Sequence, residues 1–142
     1  MPVAHALMQA KEDLQIVTLS QDKLWQKAGS AASVGFHLNH IAGSIDRLLT
    51  YAEGKQLSSE QLAFLKQEGL SGESAHVLLD RAIMAIDKAL ETLKSIPDSL
   101  LFEPRSVGRQ NLPSTMIGLL YHIGEHTSRH IGQVITTVKA IG

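Results

Sequence analysis

Residues 117–138 read IGLLYHIGEHTSRHIGQVITTV. Ile117, Leu120, Gly124, Thr127, Ile131, Val134 and Val138 recur at alternating steps of three and four, which puts them on one face of a helix. The pattern predicts a helix from Pro113 to Ala140, about 40 Å long at about 1.5 Å per residue and the longest element of the chain. The same period recurs upstream. Val34, Leu38, Ile41, Ile45, Leu48 and Ala52 mark a second helix from Ser33 to Glu53, capped by Ser33 and stopped by Gly54. Ala75, Leu79, Ala82, Ile86, Leu90 and Leu93 mark a third from Gly72 to Lys94, with Ser71 as its cap and Pro97 past its end. Val3, Leu7, Ala10, Leu14 and Val17 mark the first, which has Pro2 in its opening turn.

The connections differ in character. Residues 54–71, between the second and third long helices, are long for a bundle loop and hold a capping box, Ser58 and Gln61, that predicts a short helix through Lys66. Ser20 to Gly29 reads as a short extra turn carrying Leu24 and Trp25. Residues 97–112 read as irregular, broken by Pro104 and Gly108, and no strand pattern competes with the helices. The expected fold is therefore all-α: one domain over residues 1–142, a four-helix bundle with a long connection between its second and third helices.

Composition narrows the function. The 142 residues carry 13 Lys+Arg and 14 Asp+Glu, for a net charge of -1, which argues against a nucleic-acid binder. There is no cysteine, so disulfides, thiolate-held metals and a cysteine nucleophile are excluded. No apolar run reaches membrane-spanning length. The start, MPVAHALMQAKED, lacks the basic and apolar segments of a leader, so a cytoplasmic location is expected.

Seven histidines are the unusual feature, and five fall in two windows: His37 and His40 on the second helix, and His122, His126 and His130 on the last. His126 and His130 are four residues apart, one above the other on a helix face. Two imidazoles so placed can converge on one ion, and His40, beside the buried stripe at Ile41, is the best third ligand. The same pattern also arises from interhelical histidines that only bridge backbone or carboxylates. His37 and His122 lie about one turn from the ligand positions, as candidate proton carriers, fourth ligands or core residues. Glu125, Asn39 and Asp46 are candidates to orient the ligands. Glu73-Ser74-Ala75-His76 has the E-x-x-H spacing of di-iron bundles, but a single copy does not make that site.

The stretches SVGFHLNHIAGSIDRLL and LLYHIGEHTSRHIGQV resemble the DinB/YfiT-like metalloenzyme family, most specifically in His126-x-x-x-His130 followed by Gly132-Gln133. Ile131 stands where that family often has arginine. The resemblance covers nearly the whole chain. It implies a four-helix bundle, frequent dimerisation, and a metal held by His40, His126 and His130. It also implies thiol-dependent transferase or isomerase activity using low-molecular-weight thiols.

The expectation is a divalent metal, zinc first and nickel or iron as alternatives, with open positions for a thiol or water. Catalytic roles then fall to His37 and His122. The partners expected are a small-molecule substrate, including a low-molecular-weight thiol, and a second copy of the chain as a homodimer, without nucleic acid or membrane. The competing readings are a metal-dependent hydrolase and a dimeric bundle that binds a metal or small ligand without turnover.

Overall fold

The computed structural model describes residues 2–142. Five α-helices run in chain order: α1 (Pro2–Ile16), α2 (Val34–Ala52), α3 (Ser59–Gln67), α4 (Ala75–Ser95) and α5 (Met116–Ile141). The four longer ones form a closed ring of contacts, α1 on α5, α5 on α2, α2 on α4, and α4 back on α1. The short α3 lies in the connection between α2 and α4 and packs on α2.

Helix α2 is the centre of this arrangement. Ser33 caps it by accepting a hydrogen bond from the Phe36 amide. Its predicted stripe is buried as read, from Val34 through Leu38, Ile41, Ile45 and Leu48 to Ala52. Each fully buried Leu or Ile contributes roughly 1.5–3 kcal/mol relative to exposure. Burial extends well beyond the stripe, to His37, Asn39, Ser44 and Arg47. A helix covered nearly all round must satisfy such polar groups internally, which brings partners to it from α3, α4 and α5.

Four expectations need correction. The region read as irregular contains an antiparallel hairpin, β1 (Pro104–Val107) paired with β2 (Leu112–Thr115) in the register Pro104 to Thr115 and Val107 to Leu112. The fold is mostly helical, as expected, with this one two-stranded sheet added among the described residues. Each four-residue strand is too short for an alternation to register, and each contains a proline, which a two-stranded ribbon tolerates because both strands are edges. Gly108 and Asn111 take left-handed backbone at the turn, with φ of 77° and 50°. Arg105 Nε donates to the Ala52 carbonyl at 2.6 Å, which ties the hairpin to the C-terminus of α2.

The hairpin also moves the start of the last helix. Pro113 belongs to β2, and α5 begins at Met116, capped by Thr115, whose hydroxyl accepts from the Gly118 amide. Helix α4 begins at Ala75, not Gly72, because Ser74 is the cap in use and accepts from the Val77 amide. Its buried face is Ala75, Leu78, Ala82, Ile86 and Ala89, so Leu79 and Leu90 lie at the edge of the face.

Candidate metal centre

Helix α2 supplies His40, and α5 supplies His126 and His130. The structure brings these three together: one nitrogen from each lies within 4.8 Å of the others. Ring centroids are 4.5 Å apart for His126 and His130, 4.6 Å for His40 and His130, and 5.0 Å for His40 and His126. All three rings are partly buried.

Each ring is held differently. His40 Nδ1 is 2.7 Å from Glu68 Oε2, which leaves Nε2 as its free nitrogen. Phe36 stacks on the His40 ring at 5.3 Å between centroids and 12° between planes. His130 Nδ1 is 2.9 Å from Nδ1 of His37, which leaves Nε2 of His130 free. One of those two Nδ1 atoms must donate. If His130 keeps a lone pair on Nε2 for a metal, its Nδ1 carries the proton and donates to His37. His126 Nδ1 is buried without a hydrogen-bond partner among the described residues. Three imidazoles that each bring one nitrogen within 4.8 Å of the others, with the second nitrogens of His40 and His130 already engaged, fit a metal site, because one bound ion would answer the three lone pairs offered to the same small volume.

Electrostatics point the same way. Burial, reinforced by the neighbouring His40, pushes His126 down to about 4 and His130 to about 3. His37 is also lowered, first by burial and then by His40. His126 and His130 are therefore neutral at pH 7, the form in which an imidazole binds a metal.

Burial separates the two histidines that spacing leaves equivalent. His37 is 4% exposed and lies behind His130. His122 is exposed, 5.4 Å from His126 between ring centroids. Neither belongs to the three-histidine group. His76 is on the surface, paired with Asp80 at 3.1 Å, and His5 is exposed.

The residues that orient the ligands were only partly predictable. Asn39 belongs to the site: its Nδ2 donates to the Glu68 carbonyl at 3.2 Å and its Oδ1 accepts from Arg81 at 2.9 Å. Glu125 pairs with exposed Arg129 at 2.6 Å, and Asp46 accepts from Gln61 at 2.8 Å; among the described residues neither is hydrogen-bonded to a histidine. The residue that spacing misses is Glu68, at the C-cap of α3 and 2% exposed, with one oxygen on His40 and the other on Arg47 Nη1 at 2.7 Å. Arg47 itself is a signal in the sequence. An arginine in a helix apolar on most sides needs a buried carboxylate, and the 54–71 connection holds the nearby glutamates.

No curated protein matches this sequence. Solved structures share the fold, among them these two. A DinB-like protein from Bacillus cereus matches with a TM-score of 0.70 at 19% identity, covering 94% of this chain and 84% of its own. A protein from Streptococcus pneumoniae matches with a TM-score of 0.69 at 14% identity, covering 96% and 86%. The sequence itself matches the DinB superfamily over residues 12–134, a span that contains both histidine windows and Glu68. With that match, the helical fold and the three-histidine group, the chain belongs to the DinB superfamily.

Proposed function

We propose that this protein is a divalent-metal-dependent enzyme that transfers a low-molecular-weight thiol to an electrophilic small molecule. The observation that carries the reading is the convergence of His40, His126 and His130, with three imidazole nitrogens within 4.8 Å. These residues would hold the ion, and zinc is the first candidate. When bound, the ion supplies Lewis acidity that favours the thiolate at neutral pH. The protein has no cysteine, so the sulfur must come from a cosubstrate. In the transfer, the sulfur bonds to an electrophilic carbon as that carbon's leaving group departs, and the thiol proton must go elsewhere.

The surrounding residues divide the remaining work. His122, exposed beside His126, takes the thiol proton and passes it to solvent. His37, buried behind His130, positions that ring rather than meeting substrate. Both oxygens of Glu68 and Nδ1 of His37 are already engaged, which favours three protein ligands and open positions for chemistry over a closed, purely storing shell.

The test begins with metal content. Untagged protein purified without chelator should carry close to one zinc per chain. His126→Ala should lose both metal and thiol transfer while keeping its helical circular dichroism. Thiol transfer by metal-free protein at the wild-type rate would refute the reading. Ester or amide hydrolysis by the metal-loaded protein, without thiol transfer, would replace it with the hydrolase.

A further inference from the structure

The three histidines do not explain why Glu68 is buried. Its carboxylate is 2% exposed, and it comes from the C-cap of α3, outside the helices that supply the ligands. Burying a charge there is costly unless every oxygen is answered. Both are: Oε1 receives Arg47 Nη1 at 2.7 Å, and Oε2 lies 2.7 Å from His40 Nδ1. The backbone is fixed as well, since the Glu68 carbonyl accepts from Asn39, which in turn accepts from Arg81. With both oxygens spent, Glu68 is not a fourth ligand.

We propose that Glu68, oriented by Arg47, is a positioning residue that fixes the tautomer of His40 and so presents Nε2 to the metal. This inference rests on the three-histidine metal reading. A carboxylate only accepts, so His40 Nδ1 must carry a proton, and the lone pair of the neutral ring is then on Nε2. Arg47 makes that orientation robust, because its guanidinium can only donate and so holds the carboxylate in place. Gly43 makes room for the pair: a Cβ there would collide with Glu68 Oε1 and would lie 2.7 Å from Arg47 Nη1.

This arrangement gives Glu68→Gln a specific consequence. The amide has one oxygen and one NH2 group. Arg47 needs the oxygen, so the NH2 group turns to His40 and donates to Nδ1. The proton of a neutral His40 is then driven to Nε2, the wrong nitrogen for the metal. Removing the guanidinium as well, in Arg47→Met with Glu68→Gln, frees the amide to turn its oxygen back to His40. A simple packing role for Glu68 predicts the reverse, with the double variant worse than the single one.

The experiment is a zinc affinity measured by competition with a chromogenic chelator, with folding checked by circular dichroism. Glu68→Gln should weaken zinc binding about 10–100-fold. The double variant should recover most of that loss. Nitrogen NMR of zinc-loaded wild type, which depends on no variant folding, should find the metal on Nε2 of His40 and the proton on Nδ1. Wild-type affinity in Glu68→Gln, a double variant no better than the single, or zinc on Nδ1 of His40 each overturns the inference while leaving the metal reading standing. Absence of zinc binding by the wild type overturns the metal reading, and this inference with it.

Discussion

Replacing Gly43 by alanine perturbs the three-histidine site without replacing a histidine, a carboxylate or a charged residue. In an open helix the change would help, since alanine is favoured over glycine by about 1 kcal/mol. Here an ideal Cβ meets three groups at once: Glu68 Oε1, Arg47 Nη1 at 2.7 Å and Phe64 Cε1 at 2.9 Å. The side chain of Arg47 cannot retreat freely, because it is 10% exposed and bonded to Glu68. Either the ion pair separates or α3 lifts from α2. Overpacking of this kind costs about 1–3 kcal/mol, and weakening a hydrogen bond to a charged group adds about 1.5–3. Allowing for partial relaxation and the propensity gain, the net destabilisation is about 2 kcal/mol, which lowers the melting temperature by about 6 °C in a chain of this size. Gly132 provides the control. It is exposed on α5, and a Cβ there would meet nothing within 4 Å. Gly132→Ala should therefore raise the melting temperature slightly. The assay is thermal unfolding of both variants in excess chelator, so that lost metal does not contribute. If Gly43→Ala melts at or above the wild-type temperature, the tight seating of Glu68 against α2 is refuted.

Two further outcomes follow from the site. In metal-free protein, His126 and His130 sit at about 4 and about 3, below the ordinary 6.5, so between these values the unfolded chain binds more protons and stability rises with pH. That contribution is fully present above pH 6.5 and is lost as pH falls through the folded values. Denaturant midpoints should therefore rise from about pH 4 to about pH 6.5, and a variant with alanine at both positions should lose much of that slope; an unchanged slope would refute the burial argument. His122→Ala should keep the wild-type zinc content and lower kcat for thiol transfer, and loss of zinc would instead make His122 a ligand.

How legible the site was in the sequence depended on the range of the information. His126 and His130 share one helix, and their relation is fixed by a four-residue step. His40 needed one further inference, that its helix packs beside the last, and the apolar stripes of α2 and α5 carry that. The hairpin was hidden because its strands are four residues long and their pairing lies in turn geometry at Gly108 and Asn111. On α4 the stripe is buried as read at Ala75, Ala82 and Ile86, while Leu78 and Ala89 are buried in place of Leu79 and Leu90; Leu78 and Leu79 are adjacent and equally apolar, so that packing rather than periodicity chooses between them.

Glu68 belongs to a harder class. It contacts Arg47, 21 positions away, and His40, 28 away, and neither separation has a helical period behind it. Their meeting is set by where α3 docks on α2, which depends on Gly43 leaving space and on Asn39 capturing the Glu68 carbonyl. What the sequence does show is a hint: Arg47 and Asn39 lie on a helix that is apolar or glycine at most of its positions. Such a helix is stable only if other elements bring it an acceptor for the arginine and partners for the asparagine. The docking of α3 and the orientation of His40 thus depend on the same carboxylate. A change that lifts α3 should therefore reach the metal centre even though α3 supplies no ligand. Conversely, metal binding should slow hydrogen exchange in α3 and around Glu68 through His40.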